Sequence, residues 1–141
     1  YAVGVVGDER VQRFYPVRSV LDSGGLVVGG SDWNVSSLNP LDAIETAITR
    51  QDPFENDGPV LGTDQEIGLT AALDMYTRNA AYVMRLDDRT GTIEVGKRAD
   101  LIVLDRNLFD IPVYEINETK VLLTMMDGSI VYAATSDDNS H

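Results

Sequence analysis

Leu26-Val27-Val28-Gly29-Gly30-Ser31-Asp32-Trp33 is the stretch on which the reading of this chain turns. Three consecutive apolar residues without polar alternation predict a strand covered on both faces, and the paired glycines end it. A lone carboxylate follows at once. The end of a buried strand is where α/β enzymes keep their chemistry, although an Asp in this place also commonly serves a turn or a helix cap.

Working outward, Pro16, Val17, Val20 and Leu21 followed by Gly24-Gly25 predict a short helix with proline in its first turn and a glycine stop. Beyond the polar loop 33–38, Asn39-Pro40 supplies an N-cap and a first-turn proline. Leu41, Ile44, Ala47 and Ile48 then recur at helical spacing. The order helix, strand, helix is that of a β/α repeat.

Residues 51–62, with Pro53, Gly58 and Pro59, read as a loop. Thr63 and Glu66 have the spacing of a capping box, and Gly68 is an equally good helix start. Leu69, Ala72, Leu73 and Tyr76 form one apolar face, and Thr77 caps a second helix running through Met84, so two consecutive helices bent at Thr77 are expected. From Gly91 the pattern changes to strands over 99–104, 121–126 and 130–133, the last two joined by the hairpin dipeptide Asp127-Gly128. Residues 1–90 thus form a first unit, 91–134 a strand-rich second unit, and 135–141 a polar tail.

The 141 residues suit one domain, and a 43% hydrophobic content is enough for a core. A formal charge of −12, from 23 acidic against 11 basic residues, argues against nucleic acid or an anionic membrane as partner. Without cysteine there is neither a disulfide framework nor a thiolate site. No apolar run approaches the ~20 residues that span a bilayer. The start, Tyr1 to Gly7, lacks both an initiator Met and the basic opening of a signal peptide. The expectation is a soluble chain, cytoplasmic by default, that begins inside a longer polypeptide. Three strands and one helix-strand-helix unit leave sheet edges open, so neighbours from the rest of a barrel or from further copies are expected to cover them.

Four blocks carry a family resemblance: Gly30 to Trp33; Asn39-Pro40-Leu41 leading to Ala47-Ile48-Thr49-Arg50; Ala72 to Ala81; and Gly91 to Asp105. In order, they resemble the C-terminal part of the metal-dependent amidohydrolases, in the YtcJ-like branch (amidohydrolase family 3). The resemblance covers almost all of this chain and about the final quarter of a typical member. It implies an α/β fold: the last β/α portion of a TIM barrel, followed by strands of a small β-sandwich. Gly96 takes a turn into the first of these strands. Val95 stands where the family usually has proline.

The chemistry implied is hydrolysis of a non-peptide carbon-nitrogen bond in a small amide, N-acyl or N-formyl compound, at a divalent metal, zinc being expected. Asp32 matches the family's aspartate from the last barrel strand, which ligates metal and shuttles a proton from the attacking water to the leaving nitrogen. Trp33 is a candidate for the mouth of the substrate pocket, with plain packing the competing role. Arg50 ends its helix where its charge meets the helix dipole, and a contact to a substrate carboxylate is the further expectation. Ser31 has no histidine base to activate it. Asn79 is assigned to helix packing or capping, and Asp87, Asp88, Asp105 and Asp110 to solvated turns.

The donor inventory limits all of this. His141, the last residue, is the only histidine, and a catalytic zinc takes about three protein ligands. The chain alone is therefore expected to bind no catalytic metal and to hydrolyse nothing. Three readings follow: the C-terminal portion of a hydrolase, a non-catalytic oligomeric assembly or binding module, or one subunit of a split hydrolase.

Overall fold

Two short helices, α1 (Ala2–Val6) and α2 (Asp8–Val11), open the chain on either side of Gly7, in a stretch too short for periodicity to mark. The structure, a computed structural model, describes residues 2–55 and 57–135. The polar tail beyond Thr135, His141 included, lies outside the described residues. Helix α3 (Val17–Asp22) follows, with Pro16 at its N-cap, one position earlier than the sequence suggests. Gly24, at φ +81, ends it by donating its N–H to the Leu21 carbonyl at 2.9 Å.

The expected strand is the main departure. Residues 25–30 run without regular structure, and the one sheet among the described residues is formed elsewhere, by residues 101–133. A strand in a β/α unit needs a parallel neighbour about 4.8 Å away, and no described segment takes that place. Its polar groups turn to helices instead, and Leu26 and Val28 stay exposed.

Helix α4 (Pro40–Thr49) forms as its cap and period predict: the Asn39 side-chain oxygen accepts the Leu41 N–H at 3.1 Å, and Pro40 holds the first position. Leu41 and Ile44 go into the core. The capping-box spacing of Thr63 and Glu66 marks only a 3₁₀ turn, Thr63–Gln65. Helix α5 (Leu69–Tyr76) starts after Gly68, the other signal in the sequence. At Thr77 the backbone leaves helical values (φ −123°, ψ −100°), and α6 (Arg78–Val83) begins on the far side. Gly91, at φ +91, lets the chain pass close beneath α6; a Cβ there would lie 2.5 Å from the Ala81 methyl.

Three antiparallel strands follow, in the order β1 (Leu101–Leu104), β2 (Val121–Met126) and β3 (Ser129–Ala133). Ile102 faces Thr124 and Val103 faces Leu123; Thr124 in turn faces Tyr132 on the other side. The hairpin turn has Asp127 at φ +49 and Gly128 at φ +79, the left-handed pair that a tight two-residue connection requires. The Asp100 carboxylate accepts the Asp127 N–H at 2.7 Å, which docks that turn on the start of β1 and holds the Asp100 pKa below its ordinary value. Between β1 and β2, a 3₁₀ turn at Val113–Glu115 carries the chain back over α4. The core lies there, with Leu41, Ile44, Ile67, Ala72 and Met75 packed against Leu108 and Ile116.

Candidate functional site

The extended stretch leading to Asp32 is clamped by α5 and α6. The Asn79 side-chain amide donates to the Val27 carbonyl at 3.0 Å, and the Gly29 N–H donates to the Met75 carbonyl at 3.2 Å. Gly29 has no alternative, because a Cβ there would come within 2.3 Å of the Tyr76 ring. Tyr76 is half-buried by this contact, and burial pushes its phenol above the ordinary tyrosine value. Packing is thus the role that Asn79 takes.

Asp32 begins the turn that follows. Its φ of +49 is left-handed, a conformation that Asp adopts more readily than most side chains. Its carbonyl accepts the Val35 N–H at 2.7 Å, and the Ser36 hydroxyl closes the loop on the Ser31 carbonyl at 2.5 Å. The carboxylate stands on an exposed turn at the end of a clamped extended segment. Trp33 shares that turn and is 66% exposed, with Val35 and Leu38 also exposed. Asp32 and Trp33 are therefore presented together.

Arg50 belongs to a different set of loops. It ends α4 in a left-handed conformation, φ +59, and is 8% exposed. Its Nε donates to the Leu61 carbonyl and its Nη2 to the Phe14 carbonyl, both at 2.8 Å. Desolvation lowers its pKa, opposed by the pull of Asp64 and Glu66. In this structure the guanidinium ties three chain segments together. A broad open groove of about 530 Å³, lined by Arg18, Asp22, Ile48, Thr63, Asp64, Glu66 and Ile67, includes none of the residues of the Asp32 turn.

Two sets of residues escape a reading based on apolar periodicity. Asp105, assigned above to a solvated turn, accepts the Lys120 N–H at 3.0 Å and so joins the end of β1 to the start of β2. On α4, Asn39, Asp42, Glu45 and Thr49 form a polar ridge, the last three of them buried. Asn39 Nδ2 donates to Asp42 Oδ1 at 2.8 Å, and Glu45 Oε2 accepts the Asn117 N–H at 2.8 Å. The three- and four-residue spacing of these polar side chains is the signal that marks the ridge in the sequence.

Among the described residues, no group of three or more His, Cys, Asp or Glu comes together that could hold a metal ion. Asp32 is one oxygen donor. By themselves, these residues do not fit a catalytic zinc. Nor is any described helix long and apolar enough to cross a membrane.

Comparison with known proteins finds relatives along most of the chain. The chain is 37% identical over 123 residues to the N-substituted formamide deformylase of Arthrobacter pascens, covering 87% of this chain and 22% of that protein. It is 26% identical over 132 residues to YtcJ of Bacillus subtilis, which bears an amidohydrolase name, covering 94% of this chain and 25% of that one. A third relative, the Arabidopsis thaliana protein LONG AFTER FAR-RED 3, is 34% identical over 128 residues, covering 90% and 21%. The chain thus spans about a fifth to a quarter of the length of these relatives. A family model described as "Amidohydrolase family" matches residues 1–132. Extending over nearly all of the chain, that match establishes that it belongs to the amidohydrolase family.

Proposed function

We propose that this chain is the C-terminal portion of a metal-dependent hydrolase of non-peptide carbon-nitrogen bonds, to whose active centre it contributes Asp32. The observation that carries the reading is the presentation of that carboxylate: an exposed turn, fixed from behind by Gly29, Tyr76 and Asn79. Similarity to a relative named as a formamide deformylase supports an amide, N-acyl or N-formyl substrate. In this reading residues 1–90 complete the barrel and 91–134 are strands of its β-sandwich.

A bound divalent ion, with zinc the expected metal, would supply Lewis-acid polarisation of the carbonyl. Its other ligands would come from outside the described residues, so the chemistry assigned to this chain is that of its own carboxylate. Asp32 accepts the proton released as water attacks the carbonyl, holds it through the tetrahedral stage, and delivers it to the leaving nitrogen. Trp33, on the same turn, lines the approach to the carboxylate. A substrate-carboxylate contact by Arg50 would require its guanidinium to leave two backbone carbonyls, so its positioning role is the better supported.

Expressing the full-length protein and the 141-residue chain side by side tests the reading. The full-length protein should contain stoichiometric divalent metal and hydrolyse members of a panel of N-formyl and N-acyl amines. The chain alone should do neither. A metal-free, inactive full-length protein would favour a non-catalytic assembly module instead.

A further inference from the structure

Glu45 is 1% exposed, yet it is a carboxylate on a helix whose neighbouring charges are also negative. Its Oε2 accepts the backbone N–H of Asn117 at 2.8 Å, and the Ile116 backbone N–H also bonds to it. Asn117 in turn donates its side-chain amide to the Pro53 carbonyl at 2.8 Å. This one carboxylate therefore fastens the end of the 113–119 turn to α4, next to the fully buried Ile116. The charged groups acting on it are Asp42, one turn back on α4, and Glu118, within the 113–119 turn itself. Both are acidic. Asp42 also accepts the side-chain amide of Asn39, the N-cap of α4.

We infer that Glu45 is a pH-responsive latch between α4 and the 113–119 turn, tight when its carboxyl is protonated and looser when it is ionised. Two causes act in the same direction. Burial away from water penalises the ionised form, and the two like charges penalise it further; the backbone N–H bonds only partly oppose them. Lifting the turn off α4 would let water reach the carboxyl, so opening favours loss of the proton. The pKa is accordingly raised in the closed state above the ordinary 4.5. The sign follows: closed protein holds the proton more tightly, so the closed state loses ground as pH rises from about the ordinary value through the raised one.

Hydrogen exchange at the Asn117 amide of the full-length protein, corrected for the intrinsic pH dependence of exchange, reads this latch. Protection in the wild type should fall with rising pH, by up to about tenfold per pH unit in the window above the ordinary carboxyl value. In Glu45→Gln, which keeps an acceptor but cannot ionise, protection should be flat across the same range. In Asp42→Asn, which removes one like charge and keeps an oxygen for Asn39, the fall should begin at the same pH but level off at a lower one, giving a smaller total loss of protection. Wild-type protection independent of pH would overturn the latch, as would the same slope in Glu45→Gln. Should Glu45→Gln not fold, an upper end of the window unchanged in Asp42→Asn would overturn it equally.

Discussion

A methyl group at position 29 would sit 2.3 Å from the Tyr76 ring, well inside van der Waals contact. Gly29→Ala must therefore push Tyr76 aside or lift the extended segment off α5, straining or breaking the Gly29 N–H bond to Met75. We expect a loss of about 1–3 kcal/mol, the usual cost of overpacking a tight contact, measured by denaturant unfolding of the full-length protein. Adding Tyr76→Leu should recover part of it. An unchanged unfolding midpoint in the single variant would show that the clamp is not tight. The sequence offers the paired glycines and Asp32 in plain view; it does not reveal why Gly29 in particular is required. That reason lies in Tyr76, 47 residues later, and apolar spacing marks Tyr76 only as one more member of a helix face. Arg50 is legible only in part for the same reason. Its place at a helix end can be read locally, but its partners Phe14 and Leu61 come from separate loops.

Helix α4 is the element in which local signals are most complete, with a cap, a first-turn proline and a regular apolar face. Asn39→Ala removes the side-chain oxygen that accepts the Leu41 N–H and should cost about 1 kcal/mol, in the range measured for lost N-caps. Asn39→Asp keeps the acceptor but sets a second carboxylate against Asp42, so thermal unfolding should show only partial recovery. Full stability in Asn39→Ala would mean that the cap contributes nothing here. The polar ridge of the same helix escapes an apolar reading because buried polar residues resemble solvent-facing ones until their partners are known. The partner of Glu45 is 72 residues away, at Asn117. The strands from β1 to β3 are legible because hairpin chemistry at Asp127-Gly128 is local. Residues 25–30 have a strand's composition but no strand neighbours among the described residues, and composition alone cannot provide them.

At the scale of the whole molecule, sheet edges and apolar side chains such as Ile102, Ile130 and Tyr132 are exposed, and the chain spans about a fifth to a quarter of its relatives. The proposed centre is likewise one corner of something larger: a fixed carboxylate whose companions would come from elsewhere in the full-length protein. We propose that the rest of the barrel covers these faces, with a second copy of the chain as the competing cover. Family membership was legible because four ordered blocks carry it. The substrate was not, since the other loops around such a centre are not in this sequence. The central claim is that Asp32 moves the proton during hydrolysis, and the most direct test is the turnover of full-length Asp32→Asn on an amide that the wild type hydrolyses. An uncharged amide of the same size cannot accept that proton, so kcat should fall at least about 10²–10⁴-fold, the span of general acid-base catalysis, with the unfolding midpoint preserved. Turnover equal to wild type in a folded Asp32→Asn protein would contradict the account.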